Sequence, residues 1–196
     1  VVDSWGEIKL DELEGLEDGG VVELINVIRI PEGKTLTITT SNKNITIRNT
    51  NIGRYPENEV SSVGRSRMFT VKGLKSDITE HGKLLIEAAS GYKITLDGGA
   101  DFTINGNEIQ RNTNNRTLSE AIANEGNLEL ENVVIQNVDG ADANGGAINV
   151  SANANETKLE NCKIQNCYSI GNGGAIYAST KASININNCI IESCSA

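Results

Sequence analysis

The amino-acid sequence predicts an all-β fold, a single-stranded right-handed parallel β-helix with a short N-terminal capping helix. Three observations predict it. The sequence repeats with a period close to that of one solenoid coil, apolar residues alternate over short stretches within each repeat, and successive repeats carry matching residues at matching positions. One repeat alone is too small to bury its inward side chains, so stacked copies are needed to cover them.

The repeat is clearest in the last third of the chain. Residues 132–138 (Asn-Val-Val-Ile-Gln-Asn-Val) return as residues 161–167 (Asn-Cys-Lys-Ile-Gln-Asn-Cys) and again as residues 188–194 (Asn-Cys-Ile-Ile-Glu-Ser-Cys), at offsets of 29 and 27 residues. A second marker, Gly-Gly-Ala-Ile, keeps the same phase at 145–148 and 173–176. Two markers in one phase predict units of three short strands joined by turns.

Stacking these units at the spacing of paired strands places like residues over like residues in the interior. The expected interior columns are Leu130–Leu159–Ile186, Val133–Cys162–Cys189 and Ile135–Ile164–Ile191.

Two kinds of residue mark the bends between strands. Asn132, Asn161 and Asn188 form a predicted column at one bend, because Asn tolerates unusual backbone angles and its amide can bond to the next amide in the stack. The double glycines mark another bend, which requires a positive φ or very close backbone approach.

The β-helix is predicted to span residues 21–196 in about six or seven coils, on the order of 30 Å long. Residues 52–67 and 106–118 are polar, lack alternation and are expected to leave the coils as loops. The chain stops where earlier units run on towards their double glycine, so we expect it to be a fragment truncated at the C-terminal end. Earlier segments with the same alternation are 21–24, 36–39, 44–47, 84–86, 94–96 and 102–105.

Residues 1–20 are expected to form the capping helix and a turn. Residues 4–7 (Ser-Trp-Gly-Glu) match a capping box, and the Gly19-Gly20 pair would end the element. Such a helix would close the open end of the core, where end strands otherwise present unpaired backbone groups. Its apolar face would consist of Trp5, Ile8, Leu13 and Leu16.

Composition and charge exclude several function classes. The net charge is −9 and the sequence pI is about 4.7, which is unsuited to binding nucleic acid or anionic lipid. No apolar run approaches the ~20 residues that a transmembrane helix needs. We expect no nucleic-acid partner, no transmembrane segment in these residues, and no cofactor.

The repeat motifs resemble a known group of proteins. The Gly-Gly-Ala-Ile signatures at 145–148 and 173–176, each followed by an Asn-x-x-Ile-x-Asn or Asn-x-x-Ile-x-Ser strand, are similar to the repeats of polymorphic outer-membrane proteins and related bacterial surface adhesins. Residues 28–38 resemble the opening coil of large cell-wall proteins with a pectin-lyase-like β-helix. The resemblance implies a fold that hosts lyases, hydrolases and non-catalytic adhesins alike.

The four cysteines form two C-x4-C pairs one coil apart, at Cys162, Cys167, Cys189 and Cys194. Stacked Cα atoms ~4.8 Å apart fall inside the disulfide window, but side chains in parallel register point the same way. Structural zinc sites need convergent ligands instead. Because Val133 and Val138 fill the equivalent places one unit earlier, buried free thiols are the favoured interpretation, with a disulfide or a metal site as alternatives.

The best acidic pair for catalysis is Glu131 with Glu160, which occupy the same position in adjacent coils. Their spacing could approach the ~5 Å of a retaining glycosidase pair. A solvated charged face beside Lys158 and Lys163, with no insertion to build a cleft, is the favoured interpretation of both residues.

Two further polar groups allow functional interpretations. Acidic residues in turns suit calcium, but Asp-Gly turns are also common for backbone reasons. His81, the only histidine, has no nucleophile motif beside it, which argues against a catalytic role. The candidate calcium ligands are Asp97, Asp101, Asp139 and Asp142.

A ligand-binding epitope is best placed in the 52–67 insertion, because insertions on repeat scaffolds commonly carry recognition. Arginine and tyrosine can contact sugar hydroxyls, carboxylates or a protein partner, although a loop with incidental charges is the alternative. The predicted contact residues are Arg54, Tyr55, Arg65 and Arg67.

These observations favour a non-enzymatic secreted or cell-surface β-helix module, part of a large bacterial adhesin that binds extracellular glycans or host proteins. The expected location is extracellular, at the cell surface or cell wall. The alternative is a fragment of a pectin-lyase-like carbohydrate-active enzyme, either a polysaccharide lyase or a glycoside hydrolase. A groove lined by carboxylates with Arg or Lys would favour the enzyme, and a smooth sheet would favour the adhesin.

Overall fold

The computed structural model describes residues 5–50, 52–54, 63–65, 67–74, 79–105, 108–111, 119–140 and 144–196. Within them the chain is all-β, and the sole helix is one 3₁₀ turn at Leu10–Glu12. Most strands belong to three parallel sheets, and the chain visits these sheets in a fixed order. We call each passage through the three sheets a coil.

The first three coils contain thirteen of the strands that the structure describes. Coil 1 comprises β1 (Glu7–Lys9), β2 (Val21–Leu24) and β3 (Ile28–Ile30). Coil 2 comprises β4 (Thr35–Thr40), β5 (Ile45–Asn49), β6 (Ile52–Arg54), β7 (Val63–Arg65) and β8 (Phe69–Val71). Coil 3 comprises β9 (Lys83–Ala88), β10 (Ile94–Asp97), β11 (Phe102–Asn105), β12 (Glu108–Arg111) and β13 (Ile122–Asn124).

The last three coils are more regular. Coil 4 comprises β14 (Asn127–Glu131), β15 (Val133–Gly140) and β16 (Ile148–Val150). Coil 5 comprises β17 (Glu156–Glu160), β18 (Lys163–Ser169) and β19 (Ile176–Ala178). Coil 6 comprises β20 (Asn185–Asn187) and β21 (Ile190–Ser195).

The first strand of every coil joins sheet A, in the order β1-β4-β9-β14-β17-β20. The second joins sheet B, in the order β2-β5-β10-β15-β18-β21, and the third joins sheet C, in the order β3-β8-β13-β16-β19. All pairs within the three sheets are parallel. Successive coils therefore lie on one another in sequence order, as in a parallel β-helix.

Inward side chains form continuous apolar columns, because alternate residues of each strand face the core. The predicted pairings of Leu130 with Leu159 and of Ile135 with Ile164 are confirmed by the register. Each fully buried Leu or Ile contributes about 1.5–3 kcal/mol relative to exposure. The longest columns are Ile8–Ile38–Ile86–Leu130–Leu159–Ile186 in sheet A, Val22–Ile47–Leu96–Ile135–Ile164–Ile191 in sheet B and Ile28–Phe69–Ile122–Ile148–Ile176 in sheet C.

The bend between sheets A and B uses left-handed asparagine. Asn132, Asn161 and Asn188 have φ values of 56°, 52° and 49°. A second such column lies inside sheet B at Asn137, Asn166 and Ser193, with φ values of 56°, 52° and 50°. Asn is the non-glycine residue that accepts this region most readily, which explains its recurrence in the repeat.

The bend before sheet C requires glycine. Gly145 and Gly173 have φ values of 78° and 73°, and a Cβ at either position would lie against the carbonyl oxygen of Ile148 or Ile176. At Gly146 an added Cβ would meet the backbone of Gly174 in the next coil. Close stacking of two backbones is therefore what the double glycine permits.

The predicted N-terminal capping helix is not found, and over residues 5–20 the structure differs from that expectation. Glu7–Lys9 pairs in parallel with Thr37–Thr39 of β4, so sheet A begins within the segment assigned to the cap. A helix this short is marginal by itself, whereas the edge of β4 offers backbone hydrogen bonds. Leu10 is buried, and Trp5 and Leu16 pack against the core, so apolar side chains still cover this end.

The two insertions each contain an antiparallel hairpin. β6 pairs with β7, and β11 pairs with β12. Phe102–Asn105, which alternation assigned to a coil strand, is therefore one arm of the second hairpin. Apart from Arg67, the other residues of the predicted loops at 52–67 and 106–118 lie outside the described residues.

Candidate functional site

A shallow groove of about 250 Å³ runs across the outer face of sheet A in coils 3 to 5. Alternation along three neighbouring strands places two outward columns there. One column is Leu85–Glu129–Lys158 and the other is Glu87–Glu131–Glu160, each in direct register. The outward side chains of the groove are therefore four glutamates, one lysine and one leucine.

The glutamates of the groove differ in their partners. Glu129 forms a 2.6 Å ion pair with Lys83, and Glu160 accepts hydrogen bonds of 2.9 and 2.8 Å from the side-chain amide of Asn187. Glu87 and Glu131 are exposed and make no hydrogen bond or ion pair with the part of the chain that the structure describes. Two of the four carboxylates are thus available to a ligand.

The groove brings the predicted acidic pair together. Glu131 and Glu160 are register partners in adjacent strands, which sets their backbones ~4.8 Å apart. That spacing suits the two-carboxylate geometry of retaining glycoside hydrolysis. Glu87 extends the pair to three stacked carboxylates, and this column attracts cationic or hydroxyl-rich groups and repels anionic polymers.

The second candidate surface is formed by the two hairpins. Hairpin β6–β7 lies between β5 and β8, and hairpin β11–β12 lies between β10 and β13, so both leave the connection from sheet B to sheet C, in adjacent coils. Sheet C keeps its register past both of them, with Phe69 opposite Ile122. β11 also approaches β21, the last strand of sheet B. The second hairpin therefore extends along the molecule beyond its own coil.

The four predicted ligand-binding residues occupy different environments. Arg54 and Arg65 lie on the opposing strands of hairpin β6–β7, where Arg54 pairs with Val63 and Arg65 with Ile52. Tyr55 lies outside the described residues. Arg67 instead has partners within the fold. Its Nη2 donates to Ser119 Oγ at 3.0 Å and lies 3.3 Å from Glu120 Oε1.

Arg67 connects the chain segments that follow the two insertions. Arg67 follows the first hairpin directly, and Ser119 and Glu120 precede β13 after the second. Glu120 is only 2% exposed, so its carboxylate depends on Arg67 and on the hydroxyl of Ser119, which donates to Oε2 at 2.5 Å. Burial of a charge requires such pairing. We therefore assign Arg67 to positioning the hairpins.

The three candidate calcium ligands that the structure describes do not form a metal-binding group. Asp97 accepts hydrogen bonds from Gly99 N at 2.9 Å and from the Asn137 amide at 3.2 Å, and lies 3.8 Å from Arg48 Nε. Asp101 is exposed and Asp139 is buried, whereas Asp142 lies outside the described residues. In the described ranges, no group of three or more His, Cys, Asp or Glu side chains could hold a metal ion.

His81 is partly buried. Its Nδ1 atom is buried and has no hydrogen-bond partner among the described residues.

The cysteines stack in two columns. Cys167 is the register partner of Val138 and of Cys194, and the amide of Cys162 lies 3.3 Å from Cys189 Sγ. All four are free thiols in the structure. Burial raises the pKa of Cys162 to about 11. The buried thiols thus behave as small apolar side chains.

The asparagine column bonds differently from the simple amide ladder that we expected. Asn132 donates to the carbonyl of Ala88 at 2.7 Å, and Asn188 donates to Glu160 at 3.3 Å. An amide ladder does form in the second column, where Asn166 donates to Asn137 at 2.7 Å.

Two residues of the candidate sites were missed by the sequence interpretation although a signal existed. Glu87 occupies the position of Glu131 one coil earlier, but the long insertion between them hides the repeat. Glu120 falls in the column of Gly146, because Ile122 pairs with Ile148. A glutamate at a position that holds glycine in the later coils is the sequence signal that this bend is built differently.

The fold places this chain among all-β proteins built from stacked parallel sheets. No protein-family model matches the chain, no curated protein matches its sequence, and no solved structure matches it. Across the described residues, none of the helical structure is long and apolar enough to cross a bilayer.

Proposed function

We propose that the chain is a non-enzymatic module of a secreted or cell-surface bacterial protein, built as a right-handed, pectin-lyase-like parallel β-helix that binds extracellular glycans or host proteins. Right-handed connections between parallel strands of one sheet are by far the more common hand. The resemblance of the Gly-Gly-Ala-Ile repeats to surface adhesins supports the location and the class.

The observation that carries this proposal is the placement of the hairpins. Two hairpins leave the same connection in adjacent coils, while the register of sheet C passes them undisturbed. Insertions on a rigid repeat scaffold are the usual place for recognition residues. Arg54 and Arg65 bring positive charge to the first hairpin of a protein whose net charge is −9, and this contrast favours an acidic or hydroxyl-rich ligand.

The test is binding of the purified chain to an array of glycans and extracellular-matrix proteins. The key variant is Arg54→Ala with Arg65→Ala, and the matched control is Lys34→Ala with Lys181→Ala, which removes two exposed positive charges away from the hairpins. We expect binding to fall about tenfold or more in the key variant only, since interfacial arginines are common hot spots. Equal loss in both variants would contradict a hairpin epitope.

The groove on sheet A favours a second candidate, a carbohydrate-active enzyme that uses Glu131 and Glu160. The pair has the register that a retaining mechanism needs, and Lys158 lies beside it. Because four glutamates outnumber one lysine, neutral or amino-sugar polysaccharides suit the groove better than acidic ones.

An assay for new chain ends on such polysaccharides separates the two candidates. If the groove is catalytic, Glu131→Gln and Glu160→Gln each reduce turnover by about 10³-fold or more. Glu156→Gln, an exposed residue of the same strand outside the groove, is the control. Turnover lost in the first two variants alone would replace the binding proposal with the enzyme.

A further inference from the structure

Hairpin β11–β12 begins beside coil 4 although it belongs to coil 3. After β10 the chain stays bonded to β15, because Gly98 N donates to the carbonyl oxygen of Gln136 at 2.9 Å. Ala100 N then donates to the carbonyl oxygen of Asn137, also at 2.9 Å. β11 starts shortly afterwards, at Phe102. The hairpin therefore leaves the solenoid from a position already fixed on coil 4.

Strand β11 then crosses sheet B towards coil 6. It lies close to β21, and β18 of coil 5 lies between β15 and β21 in the sheet. Two strand spacings of ~4.8 Å separate coil 4 from coil 6, and a strand of four residues advances by about 10 Å. The length of β11 therefore matches the distance across coils 4 to 6, and its path follows the axis of the solenoid.

The outward face of sheet B is covered where this path crosses it. Val138 and Cys167 are register partners in the core, so alternation turns the next residues, Asp139 and Tyr168, outward. Asp139 is nevertheless only 1% exposed, and Tyr168 is half-buried. An outward side chain is buried to this extent only where another segment lies on it. β11, which passes from coil 4 to β21, is placed to provide this cover.

We infer that hairpin β11–β12 is a strap that ties coil 3 directly to coils 4, 5 and 6, so that coils 5 and 6 open only when the strap is released. In a plain solenoid each coil contacts only its neighbours, and those interfaces alone oppose its opening. The strap adds a link between coils three positions apart. This inference is independent of the proposed function, since it concerns the packing of the hairpin and not its ligand.

Hairpin β6–β7 offers the comparison, because it leaves the same connection one coil earlier. Just before it, Thr50 donates to the carbonyl oxygen of Leu24 in coil 1, from its backbone N at 3.0 Å and from its Oγ1 at 3.3 Å. The start of this hairpin is thus bonded back to coil 1, whereas the start of β11–β12 is bonded forward to coil 4. Removal of β6–β7 should therefore leave coils 5 and 6 unchanged.

The first test is hydrogen exchange of the wild-type chain over a series of urea concentrations, read by mass spectrometry. We expect the amides of β11, β18 and β21 to lose protection at the same urea concentration, because a single opening exposes all three strands. Loss of protection in β11 at a lower urea concentration than in β18 and β21 would overturn the inference. This result does not depend on the folding of any variant.

The second test removes each hairpin in turn. The strap variant replaces residues 102–118 with Ala-Asp-Ala-Asn, the sequence of residues 141–144, which leads from sheet B to the double glycine in coil 4. The matched control replaces residues 53–65 with the same four residues. Exchange in β18 and β21 should accelerate by about tenfold or more in the strap variant only. Unchanged exchange in the strap variant, or equal acceleration in both, would contradict the strap.

Discussion

Coils 4 to 6 and coils 1 to 3 share one core but turn their corners differently. In coils 4 to 6, six of the seven described non-glycine residues with positive φ recur at two fixed positions, those of Asn132 and Asn137, and the seventh is Lys181. In coils 2 and 3 the position of Asn132 is taken by Asn44 and Lys93, neither of which has a positive φ, and Gly98 takes that of Asn137.

The difference shows that a bend can either repeat the same closely stacked backbone in successive coils or hold an inserted hairpin, but not both. Regular coils stack backbone on backbone at their bends, and an added Cβ at Gly146 would strike Gly174. Where hairpins enter, a charged cluster of Arg67, Ser119 and Glu120 replaces the glycines. The core columns nevertheless run through both regions, so four changes can test how far the regions are equivalent.

The largest expected effect is in the shared core column of sheet A. Leu159→Ala and Ile86→Ala should each lower the free energy of unfolding by about 2–5 kcal/mol, because both side chains are fully buried and leave a cavity. Ile186→Ala, in the same column but 44% exposed, should cost about 1 kcal/mol or less. Urea denaturation measures all three. A small effect at Ile86 alone would show that the early coils pack independently.

The next effect is at the base of the hairpins. Arg67→Ala should lower the free energy of unfolding by about 2–3 kcal/mol, since it leaves the Glu120 carboxylate buried without its cation. Glu120→Gln removes the charge itself and should cost less. A double-mutant cycle in urea should give an Arg67–Glu120 coupling of about 1–2 kcal/mol, and coupling near zero would mean that the pair does not hold the hairpins.

A smaller effect is expected at the bends of the regular coils. Asn137→Ala should lower the free energy of unfolding by about 1 kcal/mol, because alanine tolerates a φ of 56° poorly and the bonds to Asn166 and Asp97 are lost. Asn137→Gly restores the backbone freedom and should cost less. Thermal denaturation with Asn153→Ala, at an exposed position, supplies the comparison. Equal losses for alanine and glycine would assign the effect to the side-chain ladder alone.

The smallest effect concerns pH at the N-terminal segment. A hydrogen bond from the Ser41 hydroxyl lowers the pKa of Asp11 below its ordinary 3.8, and hydrogen bonds from the backbone and side chain of Asn44 lower the pKa of Asp18. A lowered pKa stabilises the folded state above about pH 3.8, and this contribution is lost as the pH falls through the lowered values.

We therefore expect residues 10–20 to lose amide protection below pH 3.8 before coils 4 and 5 do. Titration of both carboxylates by NMR measures the two pKa values directly. In Ser41→Ala the pKa of Asp11 should return towards 3.8 while that of Asp18 stays low. An unchanged Asp11 would contradict the assigned hydrogen bond.

The fold could be predicted from the sequence because coils 4 to 6 repeat regularly. The register of Leu130 with Leu159, the left-handed Asn132 and the crowded Gly145 all follow from residue type and period, because each is a local requirement repeated three times or twice. Because the coils stack, the same residue type is required at the same position in each of them, and this recurrence is visible in the sequence.

The rest depended on contacts distant in sequence. Glu7–Lys9 forms a strand because the edge of β4 lies beside it, and nothing within the segment itself states this. The hairpin arm Phe102–Asn105 alternates like any coil strand, so only its antiparallel partner distinguishes it. Glu131 and Glu160 were found by the repeat, whereas Glu87 and the Arg67–Glu120 pair required the fold that brings them together.

The undisturbed pairing of Phe69 with Ile122 across two neighbouring insertions has a practical consequence. The connection from sheet B to sheet C can therefore be lengthened or replaced without changing the register of the strands in sheet C. Foreign peptides grafted in place of either hairpin would be presented side by side at a fixed separation of one strand spacing, which makes this corner a natural position for display of paired epitopes.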